Sequence, residues 1–542
     1  MLRLKTAYAG LTIEAEKNWS ISERRLVHGS QVLPAKVKNP SLLAWSVECA
    51  KFLGLPNFSE MSESEKASFV ALFSGNVVPE GVAPIALRYG GHQFGHWAGQ
   101  LGDGRAITIG ATVVDTIATK PNGLVATNAE SGFEIQLKGA GQTPYSRRGD
   151  GRAVLRSSVR EYLCSESMHF LGIPTTRALA LLATGEGVVR DMFYDGNPAV
   201  EPGAIVVRVA PTFLRFGNFQ IHAATGESDR LRELMAYVLG RPDFTEMQVK
   251  QWFSSLVKKT ADLVIHWMRV GFVHAVMNTD NLSILGITID YGPYGWLDIY
   301  DPGFTPNTTD SERRRYCFEN QPDIAYWNLS ALAMAIKDLN VSVEPELAEF
   351  SDYFSANYLT MKAAKIGFSS KTLEGDSQSV KQVIVDLESL LTSCEIDMTI
   401  FYRSLAHYLK NQTNGYQDLL SAYYTEHGTE PSHDQKSKLT NWLRSWVETL
   451  NQTQENFEKV IQLIESTNPV FIPRNYLVQE VVEELIEDKL DREFDRKLDK
   501  MKRFENAMKT PYELNESTLP YFKKLPDWAR DKPGCSALSC SS

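Results

Sequence analysis

Two kinds of periodicity divide the chain. Between residues 80 and 220 it is glycine-rich, and AITIGATVV, FEIQLKG and GAIVVRVAP show the alternation or β-branched runs of strands. One long helical stretch interrupts them, RAVLRSSVREYLCSESMHFLG, which Ile173-Pro174 stops. From about 230 to 480 the apolar residues recur every three or four positions. SSLVKKTADLVIHWMRVG and TNWLRSWVETLNQTQENFEKVIQLIES are examples, and both predict helices. A β-like island, LSILGITIDYG, lies early in that region. Residues 1 to about 75 read as an irregular leader with short helices over SLLAWSVECAKFLG and ESEKASFVALFSG. At the far end VVEELIEDKLDREFDRKLDKMKRFEN reads as a solvated helix laced by i,i+4 ion pairs, and KPGCSALSCSS as a mobile tail.

Composition narrows the class more than the mechanism. The 542 residues are 43% hydrophobic and 23% charged, which is ordinary for a globular protein. The net charge of −10 offers no overall basic field to nucleic acid or anionic lipid, so neither is an expected partner. The triplet Arg313-Arg314-Arg315 reads as a solvated helix face. Cys49, Cys164, Cys317, Cys394, Cys535 and Cys540 form no CxxC pair, which argues against a zinc ribbon or a disulfide scaffold. The first residues lack a secretory apolar core, and no stretch approaches the 18–20 apolar residues of a membrane span. The expectation is a monomeric cytoplasmic protein.

Three segments carry chemistry. In GGHQFGHWAGQLGDGRAITIG, glycines at 90, 91, 95, 99, 102 and 104 let backbone amides approach a phosphate, and Arg105 adds a guanidinium fork. His92 and His96 have i,i+4 spacing, but glycines preclude the helix on which that spacing binds metal. In FEIQLKGAG, alternation puts Glu134, Gln136 and Lys138 on one strand face. Lys138 closes the strand, and Glu161 follows 23 residues later inside the predicted helix. These positions match the lysine and glutamate that pair in a kinase upper lobe. In HAVMNTDNLSILGITIDYG, alignment on His274 puts Asn281 and Asp290 at the two positions that hold Mg²⁺ in kinases. The position of the usual base aspartate is Val276, which accepts no proton; Asp280 is the available substitute. The expected class is therefore α+β, a protein-kinase-like two-lobed fold with a β-rich N-lobe, a helical C-lobe and family-specific extensions. Its boundaries are an N-terminal extension at 1–79, the N-lobe at 80–225, the C-lobe at 226–480, and a charged helix with a cysteine-containing tail at 481–542.

GGHQFGHWAGQLGDGR, LKGAGQTPYSRRGDGRAVLRSSVREYL, RVAPTFLRFGNF, MNTDNLSILGITIDYGPYGWLD and RYCFENQP together resemble the selenoprotein O family of YdiU-type pseudokinases. That resemblance implies protein AMPylation: AMP passes from ATP to Ser, Thr or Tyr hydroxyls of target proteins and pyrophosphate leaves, with UTP and Mn²⁺ used by some members. Carried over by motif, Gly102, Gly104, Arg105, Lys138, Asp150, Gly151, Arg208 and Arg215 would contact the nucleotide. Glu161 would pair with Lys138, Asp280 would accept the proton, and Asn281 and Asp290 would bind Mg²⁺ or Mn²⁺. Three departures stand out: Ala275 where the family has glycine, a long segment at 113–131, and Cys535 and Cys540 five residues apart where the family carries a terminal redox pair. Two other functions remain open at this point, a kinase using Asp280 as its base and a non-catalytic ATP-binding regulator.

Overall fold

The computed structural model describes residues 2–15, 27–112, 132–192, 196–425, 429–487 and 499–539. The 113–131 segment and Cys540 lie outside them.

The described strands are β1 (Leu4–Lys5), β2 (Ile13–Glu14), β3 (Gly29–Gln31), β4 (Ser41–Trp45), β5 (Ile85–Leu87), β6 (Gly90–Gln93), β7 (His96–Gln100), β8 (Ala106–Thr112), β9 (Phe133–Lys138), β10 (Ala153–Val154), β11 (Arg177–Arg190), β12 (Ala199–Ala210), β13 (Phe272–Val273) and β14 (Gly295–Trp296). Ten of them form one mixed sheet in the order β2-β3-β5-β8-β9-β12-β11-β4, with β1 on β8 and β10 on β12. β2 and β3 run parallel, whereas β8, β9, β12 and β11 pair antiparallel. The leader is thus less irregular than its sequence pattern predicts. SLLAWSVECAKFLG is half strand, because β4 lies along β11 and Ser46 then caps the helix that follows by accepting from the Cys49 amide.

The helices are α1 (Val47–Phe52), α2 (Glu63–Phe73), α3 (Leu155–Phe170), α4 (Phe216–Ala224), α5 (Ser228–Leu239), α6 (Glu246–Val270), α7 (Gln321–Ile336), α8 (Glu344–Lys365), α9 (Ser370–Gly375), α10 (Ser377–Ser393), α11 (Met398–Lys410), α12 (Gln412–Ser421), α13 (His433–Gln452), α14 (Phe457–Thr467), α15 (Asn475–Glu487) and α16 (Asp499–Met508). The long apolar stretch from Thr440 is two helices, because Gln454 takes a left-handed φ of 53° and Asn456 caps the second.

Alternation along the central strands builds two cores. Leu182, Ile205, Val207, Ile135 and Leu137 face α1 and α2. Leu181, Val206 and Ala204 face α3, with α15 and α16 beyond it. That second arrangement corrects the expectation of a solvated terminal helix. Val481, Val482 and Leu485 on α15, and Met501, Phe504 and Met508 on α16, are buried despite the flanking charges. The tail is also docked as far as Ser539: Cys535 and Leu538 are buried, and the Thr308 amide donates to the Leu538 carbonyl at 2.8 Å. Its two apolar residues outweigh its small polar ones. A third and largest core holds the α4–α14 helices together. Among the described residues no helix is long and apolar enough to cross a membrane.

Candidate active site

A cavity of about 960 Å³ opens where the sheet meets the loop between β13 and β14. The sheet supplies Lys138 at the end of β9 and Arg208 on β12. Gln136 lies opposite Arg208 in the ladder, which sets their side chains on the α3 face. Lys138 Nζ meets Glu161 of α3 at 2.5 Å, and Arg208 Nε donates to the other oxygen of the same carboxylate. Arg208 also donates to Gln136 Oε1 at 3.1 Å. Burial works against the Glu161 charge, but the Arg208 and Lys138 cations outweigh it and hold its pKa below the usual range. For Lys138, burial and the adjacent Arg208 lower the ammonium to about 8. Glu161 is buried behind the cavity wall, so it positions Lys138 rather than meeting a ligand.

Asp290 ties the halves together. It has a left-handed φ of 61°, and its oxygens accept from Arg208 at 2.5 Å and from Arg215 at 2.6 Å, with Lys138 3.7 Å away. Burial opposes its charge, yet Arg208, Arg215 and Lys138 pull its pKa well below the usual carboxylate value. Arg215 also donates to the Asp280 carbonyl at 2.9 Å and lies over the Tyr89 ring. The side-chain amide of Asn281 donates to the Val276 carbonyl at 3.0 Å, which leaves its oxygen uncommitted to that bond. The neighbouring Ala275 has a φ of 61°, a left-handed conformation that glycine adopts without strain.

Of the sequence-predicted residues, Gly102, Gly104, Arg105, Lys138, Asp150, Gly151, Arg208, Arg215, Asn281 and Asp290 line this cavity. Asp280 does not. It is 7% exposed, under Gly91 of the β6–β7 hairpin, and its Oδ1 is buried without a hydrogen-bond partner. Burial pushes its pKa up to about 6 against the pull of Arg215. The first glycines of the rich segment, at 90, 91, 95 and 99, belong to this hairpin rather than to the cavity; the LGDGR half alone reaches the cavity wall. Sequence reasoning passed over Asp103, whose carboxylate accepts from the Leu87 amide at 3.0 Å, although it stands inside LGDGR. It also missed Arg190, which grips Asp150 at 2.7 Å from the end of β11 with no motif to flag it. Arg147, Arg148 and Arg152 join the wall as well, giving eight basic side chains against three carboxylates in a chain that is acidic overall. A second cavity of about 820 Å³, beside Tyr8 and Glu134, holds none of the predicted site residues.

A lysine locked to a helical carboxylate, an Asp-x-Gly aspartate and a strongly cationic wall are suited to holding phosphate groups. The family model described as protein adenylyltransferase SelO matches residues 19–506, and the chain belongs to that family. It is 45% identical over 530 residues to the protein nucleotidyltransferase YdiU of Aromatoleum aromaticum, covering 96% of this chain and 95% of that protein. The YdiU protein of Nitrosospira multiformis is 44% identical over 547 residues, covering 95% of this chain and 91% of its own length. That of Xanthomonas oryzae pv. oryzae is 45% identical over 523 residues, covering 95% and 94%. The protein is accordingly a nucleotidyltransferase.

Proposed function

We propose that this enzyme transfers AMP from ATP to Ser, Thr or Tyr hydroxyls of other proteins. The acceptor oxygen forms a bond to the α-phosphorus, the bond from that phosphorus to the bridging oxygen breaks, and pyrophosphate departs. The hydroxyl proton passes to the Asp280 carboxylate. The observation that carries this reading is the pairing of Val276, which cannot act as a base, with Asp280, which has an unpartnered buried oxygen two residues before the LSILGITIDYG turn. The eight basic side chains suit a triphosphate and a pyrophosphate leaving group. We read the sheet region and the helical region as the two lobes of a kinase-like fold, supported by Lys138 on the sheet facing Asn281 and Asp290 on loops of the helical part.

Among the described residues no cluster of three His, Cys, Asp or Glu side chains could hold a metal. The oxygens of Asn281 and Asp290 still fit a divalent cation, Mg²⁺ or Mn²⁺, that takes its other ligands from phosphate and water. When bound, such an ion supplies charge neutralisation at the phosphates. Asp290 remains ionised to receive it, and Arg215, Arg208 and Lys138 orient that carboxylate. A reducing cytoplasm suits the five described cysteines, which are all free and buried.

Incubation with Mg²⁺ and ATP labelled at either the α or the γ phosphorus tests the reading. Protein-bound label from α alone is expected. Label from γ alone would establish a phosphotransferase, and label from neither would leave a nucleotide-binding regulator. Competition by UTP for the α label measures whether UMP is transferred too.

A further inference from the structure

The Asp280 side chain lies under Gly91 of the β6–β7 hairpin and outside the cavity lining, so this hairpin flanks the residue read above as the proton acceptor. That hairpin is fastened to the catalytic loop: the His92 amide donates to Thr279 Oγ1 at 2.7 Å, and the Phe94 amide donates to the Tyr316 hydroxyl at 2.9 Å. Tyr316 in turn donates to Asn278 Oδ1 at 2.6 Å, two residues before Asp280. The outer strand β7 pairs only with β6 among the described residues, and Trp97 is 39% exposed.

Beside the hairpin runs the triplet Arg313-Arg314-Arg315, which lies on an irregular turn rather than on the expected helix face. Arg314 has a left-handed φ of 47°, and Arg313 and Arg314 are exposed. Arg315 stacks over Trp327 at 5.0 Å from the ring centroid, lies where a side chain on Gly95 would stand 3.4 Å from its Cζ, and its buried Nε has no partner. Among the described residues none of the three is in an ion pair with a carboxylate. Asp310, the nearest buried acid, is turned inward to accept from the Arg315 and Tyr316 amides at 3.1 and 2.7 Å. Among the described residues Arg313 and Arg314 therefore present two exposed guanidinium groups outside ion-pair distance of any carboxylate, on the turn beside the hairpin that covers Asp280, while Arg315 feels the charge of Asp310.

We propose that this turn and the β6–β7 hairpin form the docking surface for the acceptor protein, and that the segment they take is extended and rich in Asp or Glu around the modified hydroxyl. The open β7 edge accepts the backbone, and the arginines take the carboxylates. This rests on the transfer reaction proposed above, but its test does not depend on that reaction.

The probes are a fluorescein-labelled peptide with one Ser, one Thr and one Tyr among glutamates, and a counterpart with glutamines in place of the glutamates. Fluorescence anisotropy without nucleotide is expected to show tighter binding of the glutamate peptide. The exposed double variant Arg313→Ser/Arg314→Ser should lower that affinity by about threefold to tenfold, the sum expected of partly exposed charge pairs. The charge-reversed Arg313→Glu/Arg314→Glu protein should instead prefer a lysine-bearing peptide. ATP affinity reports that the fold of each variant is intact. The proposal is overturned if the glutamate peptide binds no better than the glutamine peptide, or if neither double variant changes the preference. Peptide binding with no α-label transfer to any acceptor would retain the docking surface and remove the transfer reading instead.

Discussion

Asp290 can stay ionised only because three cations surround it, and that arrangement sets what each of its neighbours can lose. Removing Lys138 leaves Glu161 still bonded to Arg208, so Lys138→Ala should fold normally and weaken ATP binding by roughly tenfold to a hundredfold, the worth of a charge-assisted contact. Titration of nucleotide into the purified variant checks this. Asp280→Asn keeps the shape of the side chain and removes its basicity. It should lower α-label transfer by at least about a hundredfold while ATP still binds. Full transfer in that variant would remove Asp280 from the proton step. Asp290→Ala should abolish the dependence of nucleotide binding on the divalent ion. At this scale the site was largely legible, because Lys138, Glu161, Asn281 and Asp290 occupy motif positions that spacing alone aligns. What spacing cannot show is direction. Nothing in TDN says that Asp280 turns toward Gly91 while Asn281 turns to the cavity, since that follows from a single turn of 3₁₀-helix at Thr279–Asn281.

The loop between β9 and β10 shows how tightly one element is fitted to another. Gly151 has a φ of 69°, and a side chain there would stand 2.1 Å from the carbonyl of Gly141. Gly151→Ala must therefore move the RRGDGR loop that carries Asp150, and it should cost about 1–3 kcal/mol along with most of the nucleotide affinity. Thermal melts with and without ATP separate the two effects. On the same strand as Lys138, Glu134 is fully buried, accepts from the Tyr8 hydroxyl and the Phe213 amide, and is pushed up to about 8 by burial. Its folded pKa lies above its unfolded one. Its protonated form therefore supports folding below about pH 4.5, and that support fades as pH rises toward 8. Glu134→Gln should be no more stable than the parent protein at pH 5 and more stable at pH 8, as melting at both pH values would show. The central strands could be read from alternation, whereas β1 to β4 could not. They are two to five residues long, too short for a period, and only their partners in the sheet make them strands. The charges of α16 likewise outnumber its four buried apolar residues, which hid its packed face.

At the scale of the molecule, the C-terminal tail reaches the loop of Ala275 through Asn307. Asn307 is fully buried; its side-chain amide donates to the Ala275 carbonyl at 3.0 Å, and its backbone bridges Leu538 of the tail. Leu538→Ala should cost about 2–4 kcal/mol through the cavity it leaves. Removal of everything after Lys532 should lower the melting temperature further and slow transfer, because the strand-like tail braces the loop that holds Ala275 in its left-handed conformation. Activity and melting measured on the two variants together would show whether the losses track each other. The remote docking of residues 533–539 was not readable from a segment of small polar residues, because its partners are distant in sequence: the Cys535 carbonyl accepts from Asn475, 60 positions away, and the Leu538 carbonyl from Thr308, 230 positions away.

The packing of α15 and α16 on α3 has a consequence for how the protein is made. The sheet can pair once β12 has left the ribosome, but the apolar side of the α3 layer waits for residues up to Met508. At roughly 5–20 residues per second, the interval is about 15–60 s. Throughout it Tyr162 and Ser167, which bond to Glu505 and Met508 of α16, lack those partners on an otherwise assembled region. A nascent chain stalled near residue 470 should accordingly recruit holding chaperones and resist refolding, whereas one released beyond residue 510 should not.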